Sequence, residues 1–306
     1  MTRLSLGTRK SLMAMTQSGL VAEALTQATG HDVDLVGVTT EGDVSKALLA
    51  QMGGTGVFVN GLREKILSGE VDFAVHSLKD LPTAPAEGIT LVAIPERDDP
   101  RDALCGPGKL AELPRGARVG TGSPRRVSQL RALRPDLDVV PIRGNADTRL
   151  GKVTSGELDA IVLANAGLVR IGRTESIGQV FSPDEMLPAP GQGALALECR
   201  SDRTDLLEIL GVLDDPATRA AVTAERTVLA VLEAGCSAPV GAFAHLEVVR
   251  PDEGEVLGLT AAVISHDGTR QLRLSASGHP DRAEELGREL ARRLFEQGAA
   301  QLMEEQ

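Results

Sequence analysis

Along the first two-thirds of the chain, short runs of β-branched and apolar residues alternate with stretches whose apolar positions recur every three or four residues. The short runs, at 32–38, 71–75, 90–94, 117–120, 137–142, 158–163 and 194–198, read as strands. A further short strand precedes Arg9. Helical stretches fall between them at 14–29, 42–52, 60–68, 127–133, 148–155 and 205–210. Such alternation predicts an α/β architecture of doubly wound sheets, in which ligands gather beyond the carboxyl ends of the strands.

Two segments interrupt the pattern. Pro95-Glu-Arg-Asp-Asp-Pro-Arg101 is charged and bounded by prolines, and Leu187-Pro-Ala-Pro-Gly-Gln-Gly193 has the composition of a hinge. A chain that leaves one lobe near the first and returns near the second builds one lobe from 1–97 with 191–213 and another from 98–190. From 214 to 306 the pattern changes to a helix, a loop, strands near 241–249, 256–265 and 270–277, and a last helix with Leu286, Leu290 and Leu294 on one face. This predicts a small α+β third domain. The sequence has no internal repeat.

The 306 residues, 42% of them apolar and 25% charged, describe an ordinary globular protein of two or three domains. No apolar run approaches a membrane span, and the first ten residues lack the apolar core of an export signal. Three cysteines offer no disulfide framework, so a reducing cytoplasm is expected. A net charge of −11 and five phenylalanines as the sole aromatics argue against nucleic acid or an anionic membrane as the main partner. Flat rings would have to be gripped by charge and hydrogen bonds.

Candidate chemistry collects at strand ends. Gly120-Thr-Gly-Ser-Pro-Arg-Arg126 follows a strand and opens a helix, with Ser123 placed as N-cap and Pro124 at the first helical position. Arg125 and Arg126 then face the positive end of a helix dipole, which is disfavoured unless an anion joins them; solvated surface arginines are the other reading. Ile142-Arg-Gly-Asn-Ala-Asp-Thr-Arg149 repeats the design, with Arg143 and Arg149 bracketing a turn. Arg9 with Ser11, and Arg170, add guanidinium and hydroxyl groups at comparable positions, while no phosphate-binding Gly-x-x-x-x-Gly-Lys-Ser/Thr loop is present. Val75-His-Ser-Leu-Lys-Asp-Leu-Pro82 delivers Ser77, Lys79 and Asp80 at a strand's carboxyl end, and strand alternation turns His76 the other way, toward a core role. A lone carboxylate among arginines suits a cationic intermediate or a ring N–H. Cys236, in Glu233-Ala-Gly-Cys-Ser-Ala-Pro-Val-Gly241, follows a helical run that Gly235 is expected to end. A thiol at the negative end of a helix is poorly placed as a free thiolate, so an attachment held by the sulfur is one reading and a small apolar residue the other. Cys105 and Cys199 read as core residues. No metal site is expected.

In this order the segments Thr-Arg-Lys-Ser, Gly-Asp-Val, Gly-Gly-x-Gly-x-Phe-Val, His-Ser-Leu-Lys-Asp-Leu-Pro, Asp-Pro-Arg-Asp-Ala, Ser-Pro-Arg-Arg, Arg-Gly-Asn-x-x-Thr-Arg, Ala-Pro-Gly-Gln-Gly-Ala and Gly-Cys-x-x-Pro-x-Gly resemble the hydroxymethylbilane synthase (porphobilinogen deaminase) family, from about Leu4 to Gly241. The resemblance implies two lobes like those of periplasmic binding proteins, a cysteine loop supplied by the third domain, and stepwise condensation of porphobilinogen in tetrapyrrole biosynthesis. It implies a dipyrromethane cofactor in thioether linkage to Cys236, and Asp80 as the catalytic residue. Ser77, Lys79, Thr121, Ser123, Arg125, Arg126 and Arg143 would hold the cofactor; Arg9, Ser11, Arg149 and Arg170 would hold substrate. A monomer is expected. Two places depart from the family: Leu12 follows Ser11 where a proline is common, and Thr55 and Asn60 stand where many relatives have lysine. The competing expectation is a two-lobed anion-binding protein without chemistry, which leaves Asp80 and the Cys236 loop unexplained.

Overall fold

The computed structural model describes residues 3–39, 59–234, 238–250 and 254–304. The helix expected at 42–52, Thr55 and Cys236 lie outside them. In chain order the described strands and helices are β1 (Arg3–Arg9), α1 (Leu12–Thr29), β2 (Asp32–Val38), α2 (Asn60–Leu67), β3 (Phe73–Ser77), β4 (Ile89–Ala93), β5 (Asp102–Cys105), β6 (Arg118–Thr121), α3 (Pro124–Leu133), β7 (Asp138–Pro141), α4 (Ala146–Thr154), β8 (Ala160–Ala164), α5 (Asn165–Arg170), β9 (Ile177–Val180), β10 (Leu195–Arg200), α6 (Thr204–Gly211), α7 (Pro216–Val231), β11 (Val240–Arg250), β12 (Gly254–Ile264), β13 (Gln271–Gly278), α8 (Ala283–Glu296) and α9 (Ala299–Glu304). No helix among the described residues is long and apolar enough to cross a membrane.

The chain divides into two compact units, Met1–Asp98 with Gly193–Arg219 and Asp99–Gln192 with Ala220–Gln306. The first is built on a five-stranded sheet in the order β2-β1-β3-β10-β4. Strands β2, β1 and β3 run parallel, and β10 enters antiparallel between β3 and β4. A core of Leu4, Leu6, Phe73, Val75, Leu195 and Leu197 packs with Val21 and Leu25 of α1 and Leu206 and Leu210 of α6. Ser11 starts α1 by accepting a hydrogen bond from the Ala14 N–H at 3.3 Å, and Gly30, at φ 73°, ends it.

On the opposite face of this sheet, the side that packs against α2, β10 carries a buried charge. Glu198 is 3% exposed, and it accepts from Arg63 of α2, Nη2 on Oε1 at 2.6 Å and Nε on Oε2 at 2.9 Å, with His76 Nε2 3.3 Å from the same Oε2. His76 is thus a buried side chain beside a carboxylate, as strand alternation predicted. Burial alone would raise the Glu198 pKa, but the hydrogen bonds from Arg63, with His76 close by, outweigh it and hold the group at about 2. A depressed carboxylate stabilises the fold above its unfolded pKa, and that contribution fades as pH falls toward about 2. Glu198→Gln is therefore expected to be less stable than wild type at neutral pH and to lose stability less steeply between about pH 4.5 and 2. Urea unfolding across that range measures both slopes.

The second unit holds a five-stranded sheet in the order β7-β6-β8-β5-β9 and a three-stranded sheet, β11-β12-β13. In the larger sheet β7, β6 and β8 are parallel and β5 is antiparallel to β8 and β9. The smaller one is antiparallel and is covered by α7, α8 and α9, with Leu286, Leu290 and Leu294 in its core. Helices α7 and α8 approach closely at Gly287, where a Cβ would stand 2.4 Å from the Ala224 carbonyl oxygen.

The small α+β domain that the sequence predicts is present, and its sheet falls in the same compact unit as the larger one. The ties are specific. The fully buried Glu225 carboxylate on α7 accepts from Gly191 N–H at 2.7 Å and from Ala244 N–H at 2.8 Å. Ala242 N–H donates to the Pro188 carbonyl, Leu187 packs on Ala262 and Ile264, and Arg273 reaches the carbonyls of Pro183 and Asp184.

Candidate functional site

In the first unit, β1 and β3 are parallel neighbours, so Arg9 and Ser77 end the two strands at one edge of the sheet. Beyond Ser77 the chain makes a single 3-10 turn, Leu78–Asp80. Leu78 is fully buried and Leu81 is 3% exposed, and Leu78 N–H is fixed to the Ala194 carbonyl at 3.0 Å. With both flanking leucines anchored, Lys79 is left half-buried and Asp80 exposed. The Asp80 carboxylate accepts no hydrogen bond from the described residues, so both oxygens remain available to a ligand. The Ser77 hydroxyl pairs with the buried Gln17 amide, whose Nε2 and Oε1 lie 3.1 and 3.2 Å away. Ser11 is engaged as the α1 cap.

In the second unit the carboxyl ends of β6, β7 and β8 lie side by side and lead into α3, α4 and α5. Thr121 ends β6, buried, and its Oγ1 accepts from Ser123 N–H at 3.2 Å. Ser123 occupies the N-cap position and Pro124 follows it, but the Ser123 side chain makes no capping bond. Both positions are those the sequence predicts, and the hydroxyl is left without a role in the cap. After β7, Gly144 at φ 110° turns the chain where a Cβ would meet Thr148 at 2.8 Å, and Asn145 caps α4 through Thr148 N–H, also at 2.8 Å. Arg143 and Arg149 flank this turn, half-buried, and Arg170 closes α5. Arg149 Nε donates to the Gly144 carbonyl at 2.8 Å. Neither Arg143 nor Arg149 has an ion-pair partner among the described residues.

Burial, with the charges of Arg126 and Arg143 close by, pushes the Arg149 guanidinium pKa down. Arg143 and Arg149 thus bring two like charges to one turn, which an anion would relieve. The reading of Arg125 and Arg126 changes in one respect. They are buried, and the anion beside them is the chain's own Asp102, at 2.7 Å from Arg125 Nη1 and 2.6 Å from Arg126 Nη2. Solvated surface arginines are excluded. Asp102 went unassigned in the sequence, although an acidic residue opening the short run Asp102-Ala-Leu-Cys105 was the signal. Burial would raise its pKa, and the two guanidiniums overcome that and hold it well below the usual carboxylate range.

The helix that leads toward Cys236 ends earlier than expected. Helix α7 stops at Val231, and Glu233, at φ 51°, takes the left-handed position that glycine usually fills. Ala234 N–H bonds the Leu229 carbonyl and Glu233 N–H bonds that of Ala230, the double closure of a Schellman turn. Glu233 is exposed, so Glu233→Gly is expected to raise stability by about 1 kcal/mol by relieving the left-handed strain. Thermal unfolding of that variant beside wild type checks it. Cys105 and Cys199 are buried free thiols in the two α/β cores, and burial pushes Cys199 up to about 11.

The family model for the dipyrromethane cofactor-binding domain of porphobilinogen deaminase matches residues 4–208, and that for its C-terminal domain matches 219–296. The chain is 59% identical to the porphobilinogen deaminase of Thermobifida fusca, over 99% of this chain and 96% of that one. It is 56% identical to porphobilinogen deaminase 1 of Streptomyces coelicolor, over 99% and 98%, and 52% identical to the Mycobacterium tuberculosis protein of the same name, over 98% of each. Among solved structures it is similar to the methionine-binding protein MetQ, with a TM-score of 0.43 and 11% identity over 69% of this chain and 89% of that one.

Proposed function

We infer the roles of individual residues from the premise that the chain belongs to the porphobilinogen deaminase family. It is a transferase, a hydroxymethylbilane synthase that joins four porphobilinogen molecules head to tail on a dipyrromethane primer, releasing ammonia and then the linear tetrapyrrole. The non-catalytic anion-binding alternative ends there.

The observation that carries the assignment of binding residues is that Arg143 and Arg149 flank one turn with no carboxylate partner among the described residues. Each pyrrole of the substrate carries an acetate and a propionate, and arginine's planar fork suits both. The residues fit the cofactor on a second count: Arg125 Nε is buried with no partner among the described residues, a donor awaiting an acceptor. As the family resemblance implies, Ser77, Lys79, Thr121, Ser123, Arg125, Arg126 and Arg143 would hold the primer. Arg9, Ser11, Arg149 and Arg170 would hold incoming substrate. The primer supplies the nucleophilic pyrrole carbon that begins the chain, and Cys236, outside the described residues, is its point of attachment. Asp80 accepts the pyrrole N–H and stabilises the cation left on porphobilinogen as ammonia departs, since its carboxylate is exposed and unspent.

A monomer acting in the cytoplasm on a free small molecule completes the reading. The charge of −11 repels nucleic acid and anionic membranes and leaves local arginines to select the ligand. The purified protein given porphobilinogen is expected to release one ammonia per substrate consumed and an uncyclised tetrapyrrole. Binding without ammonia release would refute the reading.

A further inference from the structure

The two buried arginines of α3 are not equivalent. Arg126 has all three guanidinium nitrogens engaged: Nε and Nη2 on Asp102 Oδ1 at 3.0 and 2.6 Å, and Nη1 on the Val162 carbonyl at 3.0 Å. Arg125 spends only Nη1, on Asp102 Oδ2 and the Leu187 carbonyl, each at 2.7 Å. Its Nε is buried without a partner, and its Nη2 has none among the described residues. Nε and Nη2 form one edge of the guanidinium, the fork that takes a carboxylate through two parallel bonds. Asp102 is itself fixed by Gln192 Nε2, at 2.9 Å on Oδ1, and both side chains are fully buried.

We propose that Asp102 is a positioning residue: by holding Nη1 of Arg125 and locking Arg126, it leaves the Nε–Nη2 edge of Arg125 as the fork for one carboxylate of the bound oligopyrrole. The charge count agrees. One carboxylate against two buried guanidiniums leaves a single positive charge, which one ligand carboxylate neutralises. Arg126 contributes charge and rigidity, and Arg125 makes the contact. This deepens the reading of the site and rests on it.

The test is primer loading, read by intact mass after apoprotein is incubated with porphobilinogen, with circular dichroism as the check on folding. Asp102→Ala is expected to load about tenfold less than wild type, the scale of one charge-assisted hydrogen bond lost. Sodium formate, a carboxylate small enough for the vacated space, should restore loading where equal sodium chloride does not. Loading that matches wild type without formate, or a folded variant that formate helps no more than chloride, overturns the proposal. Should the alanine variant not fold, the arginines decide. Arg125→Lys, which keeps the charge and loses the fork, should load about tenfold less than Arg126→Lys, whose main defect should be a lower thermal midpoint. Equal loading, or the reverse order, overturns it. Wild-type protein that acquires no pyrrole mass would instead refute the assigned function.

Discussion

Cys236→Ser is expected to give a folded protein that carries no pyrrole and releases no tetrapyrrole. A serine hydroxyl has nearly the shape of a thiol but is far less nucleophilic, so the thioether does not form. Folding should survive, because one small side chain replaces another of nearly the same volume. Circular dichroism and thermal unfolding close to wild type, with activity at background, is the expected pair of results. A variant that turns over porphobilinogen near the wild-type rate would exclude the attachment.

Asp80→Asn is expected to spare the primer and stop elongation. In the proposed roles the guanidiniums hold the anionic chain, whereas Asp80 acts on positive charge that appears only during reaction. Removing one preorganised electrostatic group commonly lowers kcat by roughly 10²–10³, about 2.7–4 kcal/mol. Asparagine keeps the shape and one acceptor, so the comparison isolates the charge. Single-turnover addition of porphobilinogen to primer-loaded protein measures it. A near-normal rate would reduce Asp80 to holding the pyrrole N–H.

The sequence made the regular elements legible because their periodicity is local. Strand β2 falls on the expected residues, and the leucines at 286, 290 and 294 are buried as their spacing required. Strand β5 was missed. It is four residues long and begins with Asp102, and a carboxylate enters a core only when distant residues, here Arg125 and Arg126, come to meet it. The end of α7 was missed for the converse reason: Glu233 adopts a left-handed conformation that local preference assigns to Gly235. Among the site residues, strand ends and turns placed Asp80, Arg143 and Arg149 without difficulty. The sequence could not divide Arg125 from Arg126, because which nitrogen of each is spent depends on Asp102, Val162 and Leu187, far off in the chain.

The central claim is that Cys236 carries the primer, and peptide mass mapping of the purified wild-type protein tests it most directly. Trypsin, which does not cut the Arg250–Pro251 bond, should release Thr227 to Arg270, a peptide whose one cysteine is Cys236. It is expected at its sequence mass plus two pyrrole units, with the peptides holding Cys105 and Cys199 unmodified. A bare Cys236 peptide from fully active protein, or the added mass on either of the other cysteines, would contradict the account.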